Sequence, residues 1–533
     1  MEAFVIIASK KWIAGIIALL LGCGLLGASG IASVAAAGTS DEAVKPIRIY
    51  LDGVWIRSDD APPYIMPGAN LTMVPVRVIS KSLGATVDWE PSTKTVTVKK
   101  ADMRIVMKVG QRTAQAGGKQ VALEAPPELK NNRTMVPLRF ISEHLGLLVG
   151  WEADTRQIFL TTPGPKVEMR GTWVSTVYNL DWPSDQSYGS PDRQKQEFVD
   201  MLNELQAMGI DTVFLQVRPA ADAFYPSKLV PWSKYLTGTQ GKDPGYDPLT
   251  YAIVEAHRRG MELHAWFNPF RASTDTKMDA LAAGHVALQH PDWIVKSGGK
   301  MYVNPGIPAA RQHVIDAVME VVARYDIDGV HLDDYFYPSD GVFDDDAAFR
   351  AHNGKKLAGK GEWRRDNIND FVRLLGQEIH AVKPQLAYGI SPFGVWRNQM
   401  DDPTGSATQA SVSAYDSMGA DARAWIRGGW IDYVMPQIYW SRGFKAADYD
   451  TLVKWWANEV NGTDVRLYIG HAPYKLGTKE AGWQSADEII SQLRFNRTIP
   501  QVKGDVFFSA KDLRRNPLNL VPALRSFYQV GQP

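Results

Sequence analysis

The stretch GVHLDDYFYP, residues 329–338, ends a short apolar run in two adjacent aspartates, Asp333 and Asp334, followed at once by aromatic residues and a proline. Neighbouring like charges are costly unless their surroundings give them different roles. Two carboxyls with different roles are the working parts of acid–base and nucleophilic chemistry. One, kept protonated, gives a proton; the other, ionised, attacks or steadies a developing positive charge. Side chains alternate along a strand, so His331 and Asp333 share one face, Val330 and Leu332 share the other, and Asp334 opens the next loop. The apolar pair is expected against covering helices, which turns His331 and Asp333 inward. Asp334 ranks first as partner acid to Asp333, ahead of Asp222, Asp181 and Asp366. Each of these has a plainer role available: Asp181 as a turn cap, Asp222 as a partner of Arg218, and Asp366 as an acid near a helix N-terminus.

These residues need a scaffold, and the second part of the chain supplies one. From about Glu168, apolar and β-branched runs alternate with helical stretches such as RQKQEFVDMLNELQAMG and ARQHVIDAVMEVVARYD. Eight strands are expected, beginning near 169, 211, 262, 328, 386, 432, 466 and 505. Eight strand–helix units over residues 168–530 predict an α/β fold, a (β/α)8 TIM barrel. A doubly wound open sheet is the rival, but TVYNLDWPS after the first strand lacks the glycine-rich phosphate turn.

Nearly every strand ends in polar or aromatic residues, where such barrels build their sites. Arg218, Arg271 and Arg397 could each fork a carboxylate. Trp266, Phe270, Tyr335, Trp396, Tyr439 and Trp440 could stack on flat rings, and Asn268, His331 and Gln437 complete the candidate binding set. For any single arginine, a structural ion pair is the competing role.

Composition narrows the classes. Formal net charge is +0 over 533 residues, so nothing global steers the chain toward nucleic acid. His264, His331 and His471 lie in separate strands without a paired His-x-His signature, so no metal site and no cofactor is expected. Residues 1–37 have the pattern of a signal peptide or membrane anchor: Lys10 and Lys11, an apolar run from Trp12, then SVAAAG. The single cysteine, Cys23, lies within that segment and could instead be a lipidated residue. All three options place the body of the protein outside the cytoplasm.

Between the leader and the barrel lies a repeat. LTMVPVRVISKSLGATVDWE (71–90) matches RTMVPLRFISEHLGLLVGWE (133–152). In each copy a proline opens a short helix, a glycine closes it, and a strand with Trp89 or Trp151 follows. Residues 47–162 therefore form an α+β repeat module, ended by TTPGPK. This module resembles the copper amine oxidase N-terminal-like domain of bacterial cell-surface proteins. It has no His and Cys set that could hold copper, with His144 standing alone. The resemblance implies a wall-associated adaptor without chemistry.

RGTWVSTVYNLDWPS, QVRPAADAFYPS, AWFNPFRA, DGVHLDDYFYP, WRRDNINDFV, GISPFGVWRN and VMPQIYW resemble the glycosyl-hydrolase-like 10 family of bacterial surface proteins, from about 168 to 480. The resemblance implies a TIM barrel related to glycosidases. It also implies, for some members, cleavage of peptidoglycan strands stripped of stem peptides. Such chemistry needs a proton-donating acid and a second carboxylate as nucleophile or base. Asp333 is placed for one of these, but no acid ends strand five or six. Two readings stay open: an extracytoplasmic glycoside hydrolase acting on cell-wall glycan, a polysaccharide, and a catalytically idle barrel that binds glycan at the surface.

Overall fold

The computed structural model describes residues 46–530, apart from 53, 59, 68–70, 102, 153–154, 163–167 and 334–335. The leader reading for 1–37 and Cys23, and the candidates Asp334 and Tyr335, lie outside the described residues.

The eight expected strands close into one parallel barrel in sequence order. They are β1 (Met169–Val174), β2 (Thr212–Arg218), β3 (Glu262–Phe267), β4 (Gly329–Leu332), β5 (Ala387–Ile390), β6 (Tyr433–Val434), β7 (Arg466–His471) and β8 (Val502–Phe507). β8 pairs back onto β1 through Met169–Gly504 to Thr172–Phe507. The main covering helices are α1 (Pro191–Ala207), α2 (Pro248–Arg258), α3 (Pro308–Arg324), α4 (Lys360–Val382), α5 (Ala422–Gly428), α6 (Tyr449–Val460), α7 (Asp487–Asn496) and α8 (Leu520–Tyr528). Their starts follow local chemistry. Proline opens α1, α2 and α3, where its missing N–H costs nothing, and Asp247 and Asp448 cap α2 and α6 through the N–H of Thr250 and Thr451.

Two apolar layers result. Outside the strands, Val330 and Leu332 join the large core under the helices, both fully buried. Inside the barrel, Met169, Trp173, Phe214, Trp266, Tyr433, Met435, Tyr468 and Val506 form a separate cluster. His331 lies with them: its ring packs near Trp173, Phe214 and Tyr433, so the strand-four alternation expected from sequence is observed. One feature was not anticipated. Between β3 and β4 the chain forms a small antiparallel sheet of Arg271–Ser273, Ile294–Ser297 and Lys300–Val303. Its hairpin turns at Gly298–Gly299, both with positive φ (54° and 75°).

The repeat module has the expected elements and its own core. Helices Val76–Ser82 and Leu138–His144 follow Pro75 and Pro137 and end before Gly84 and Gly146, which take left-handed φ of 72° and 78°. The two copies meet at their TMVP strands, paired antiparallel with Val74 opposite Val136. The second copy docks on the barrel. Where the first copy has Asp88 the second has Gly150, and a Cβ there would lie 3.5 Å from the Val254 backbone of α2. His257 of α2 bonds Val149 O and Asp328 Oδ2, both at 2.7 Å. Burial alone would discharge this imidazole, but the Asp328 carboxylate carries its pKa up to about 9. Arg139 pairs with Asp326 at 3.3 Å, and Arg258 with Glu152 at 3.2 Å. Asp326 and Asp328 precede β4, so the module meets the barrel at the rim opposite the C-terminal strand ends.

Candidate active site

The C-terminal strand ends surround a cleft of about 790 Å³. Asp333, one residue past β4 and only 4% exposed, sits in its wall. Among the described residues, it is the one carboxylate lining the cleft and Arg271 the one cation. Nine aromatic residues contribute to the remaining lining: Trp173, Tyr178, Trp266, Phe393, Tyr439, Trp440, Phe444, Tyr474 and Phe508. Ser175, Gln216, Ser391 and Gln437 add polar atoms.

Behind Asp333 stands a relay of side-chain amides. The Asn268 amide donates from Nδ2 to Asp333 Oδ2, and Gln216 donates from Nε2 to Asn268 Oδ1. Arg271 donates from Nη2 to the same Asn268 oxygen at 2.5 Å, and from Nε to Pro219 O at 2.7 Å. Asn268 is itself fully buried and does not line the cleft, so the structure places it behind Asp333, away from substrate contact. His331 is likewise buried beneath the site. Its Nε2 accepts from Trp173 Nε1 at 3.1 Å and lies 3.0 Å from Ser391 Oγ. Burial, and His264 beyond it, hold its pKa well below the ordinary range, so it is a neutral support for two cleft-lining side chains.

Of the other expected site residues, Arg271, Gln437, Tyr439, Trp440 and Trp266 line the cleft together with Asp333. Several do not. Arg218 is fully buried and donates through Nη1 to Asn268 O and Pro269 O, each at 3.0 Å, which ties β2 to the loop after β3. Asp222 is 1% exposed beside it and accepts from Ala220 N at 3.0 Å. Burial pushes its pKa up to about 6, against the pull of Ser233, the Ala220 N–H and Arg218. Asp222 borders a separate, much smaller void and not the cleft.

Arg397 pairs with Asp416 at 2.8 Å and Asp402 at 3.6 Å, the structural alternative weighed for these arginines. Trp396 is buried in a stack with Trp455, under the Arg423 guanidinium. Phe270 is fully buried against Phe371. The loop after β5 folds its arginine and tryptophan onto its own acids and helices, which strand counting does not foresee. Asp181 accepts from Ser175 N (2.7 Å), Ser509 Oγ (2.7 Å) and Lys511 N (2.6 Å), which closes the seam between the loops after β1 and β8. Asp366 lies in α4 and pairs with Lys355 at 2.6 Å.

Three cleft residues, Tyr178, Phe393 and Gln216, lie outside the set expected from sequence. Tyr178, 61% exposed, stands at the cleft in left-handed backbone (φ 59°), which costs a non-glycine residue about 1–3 kcal/mol. Its neighbour Asn179 overrides the strain by donating to Pro183 O and Tyr235 O and accepting from Tyr188 OH. Phe393 lies inside the GISPFGVW motif without standing out. Gln216 could have been found, as a lone amide in the fully buried strand TVFLQVR must be hydrogen-bonded.

The chain is 49% identical over 362 residues to glycosyl hydrolase YngK of Bacillus subtilis, covering 67% of this chain and 71% of that protein. It is 42% identical over 371 residues to glycosyl hydrolase DigH of Escherichia coli K12, covering 65% and 84%. The glycoside hydrolase domain of PgaB (BpsB) from Bordetella bronchiseptica superposes with a TM-score of 0.47 at 12% identity, over 68% of this chain and 99% of that one. Residues 50–160 match the copper amine oxidase N-terminal domain. Residues 168–485, the barrel up to and past β7, match glycosyl hydrolase-like 10, and the chain belongs to that family.

Proposed function

We propose that the barrel hydrolyses glycosidic bonds of cell-wall glycan, with peptidoglycan strands lacking stem peptides as substrate, and that it works outside the cytoplasm. The observation that carries this is Asp333: a carboxylate held by a side-chain donor in the wall of an aromatic-lined cleft of about 790 Å³. Sugar rings stack on such side chains, and the oxocarbenium-like transition state needs an anion beside it. Arg271 and Gln437 offer donors to carboxylate or acetamido groups along the strand. The module would serve as the attachment to the wall, and it leaves the cleft rim uncovered because it docks at the opposite one. Residues 1–37 would direct export.

The test is release of soluble fragments from peptide-stripped peptidoglycan by wild type and Asp333→Asn. Wild-type release with a variant loss of three or more powers of ten is expected, on the order of 4 kcal/mol. No release by wild type, together with glycan retention by both proteins, would favour the second reading, a glycan-binding surface barrel. That reading draws on one observation: Asp333 is the one acid among the described residues lining the cleft.

A further inference from the structure

The chain of hydrogen bonds behind Asp333 has a direction, and groups that cannot reverse set it. Gln216 Oε1 accepts from the backbone N–H of Thr176 at 2.9 Å and of Val177 at 2.8 Å. A backbone N–H only donates, so this oxygen is committed and Nε2 must point the other way, to Asn268 Oδ1. The Arg271 guanidinium, also a donor only, reaches the same oxygen from the cleft side. With Oδ1 taken twice, Asn268 has only Nδ2 to offer Asp333. The amide orientations are therefore not interchangeable.

We propose that Gln216 and Asn268 are positioning residues that hold Asp333 as the ionised, hydrogen-bond-accepting member of the acid pair, so that the leaving-group proton comes from another side chain. The inference rests on the reading of Asp333 as a group of the reaction. A donor aimed at a carboxylate favours its charged form, whereas a reversed Asn268 would present an oxygen and favour the protonated form. The charged form is the one a nucleophile or cation stabiliser needs. Neither positioning residue need touch the sugar: Asn268 lies behind Asp333, and the Gln216 amide is spent on backbone and on Asn268.

Gln216→Glu separates polarity from packing. Glutamate keeps the size and an acceptor for Thr176 and Val177, turns the donor toward Asn268 into an acceptor, and adds a negative charge to the relay, both of which push Asp333 toward its protonated form. The measurement is kcat and KM on stripped glycan across pH 4–8, with the thermal midpoint alongside. Arginine and tyrosine side chains ordinarily titrate above this range, and burial holds the His331 pKa well below its ordinary value, so carboxyls are the main groups expected to titrate on the acid limb. The expected result is an acid limb moved to higher pH and kcat at neutral pH lowered about tenfold, with KM within about twofold. A folded Gln216→Glu protein with the wild-type acid limb and kcat overturns the proposal, as does a lowered midpoint with an unmoved limb. If that variant does not fold, Asn268→Asp makes the same exchange of donor for acceptor next to Asp333. The same shift is then expected, and an unmoved limb overturns. Asp333→Asn run in parallel distinguishes the failures: wild-type turnover there removes the reading of Asp333 itself.

Discussion

Asp333 and Asp181 are the same residue type on the same rim of one barrel, yet they are held in opposite ways. Asp181 is ringed by committed donors, two of them backbone N–H groups, from the loops after β1 and β8. It joins two segments more than three hundred residues apart and reaches no substrate space. Asp333 receives a side-chain donor from behind and presents its carboxyl to an open cleft. Asp222 belongs with Asp181, as a loop tie bonded to Ala220 N. An acid after a barrel strand is thus a structural tie when backbone donors claim it, and is left facing the cavity when they do not.

Substitution with asparagine tests that contrast directly. The largest effect is expected at Asp333→Asn, where activity on stripped glycan should fall by three or more powers of ten while the unfolding free energy stays within about 0.5 kcal/mol of wild type. The reverse outcome, normal turnover in a destabilised protein, would make Asp333 another tie. Next in size is a pH effect. Burial raises the carboxyl pKa of both Asp181 and Asp222 to about 6, above the usual carboxylate range. A folded-state pKa above the unfolded one means that stability is fully present near pH 4 and is lost as pH rises through about 6. Denaturant unfolding between pH 4 and pH 7 should show this loss, on the order of 2 kcal/mol per group, with each Asn variant removing its own share of the slope.

At neutral pH, Asp181→Asn should cost about 1–3 kcal/mol, because its amide nitrogen would face the Ser175 N–H or the Ser509 and Lys511 donors and leave one unpaired. Activity per folded molecule should stay near wild type. Asp222→Asn should be the mildest, about 1 kcal/mol or less. Its other donors, Ser233 and Gln240, are side chains that can turn to suit an amide.

The barrel was legible because eight β-branched or aromatic runs recur with helical stretches between them, and Pro and Asp mark the helix starts. Asp333 was legible as well, since an acid at the end of a short apolar strand, two residues after His331, has one side on which to point. Legibility stopped where the loops choose their own partners. Nothing local distinguishes Arg271, which turns into the cleft, from Arg397, which turns to Asp416 and Asp402. Trp396 and Trp440 are equally good platforms on paper, and only packing against Trp455 and Arg423 buries the first. The small sheet after β3 was missed although Gly298–Gly299 between KS and KMYV is a hairpin signal. Its strands are three or four residues long, below the length at which alternation is readable. Tyr178 was missed because a left-handed tyrosine is stabilised by distant hydrogen bonds and not by its own preference.

The module's first and last strands run side by side in the same direction, Arg48–Leu51 against Gln157–Thr161 in a four-residue register. The chain enters along one and leaves toward the barrel along the other. A force that pulls these ends apart therefore acts lengthwise on the ladder. Its hydrogen bonds bear the load together in shear and do not open one after another like a zipper. A protein clamped in this way lengthens little until the whole ladder breaks, and its lifetime under tension is governed by the rate of that one event. Under the proposed attachment to the wall, the repeat module would act as a mechanical clamp.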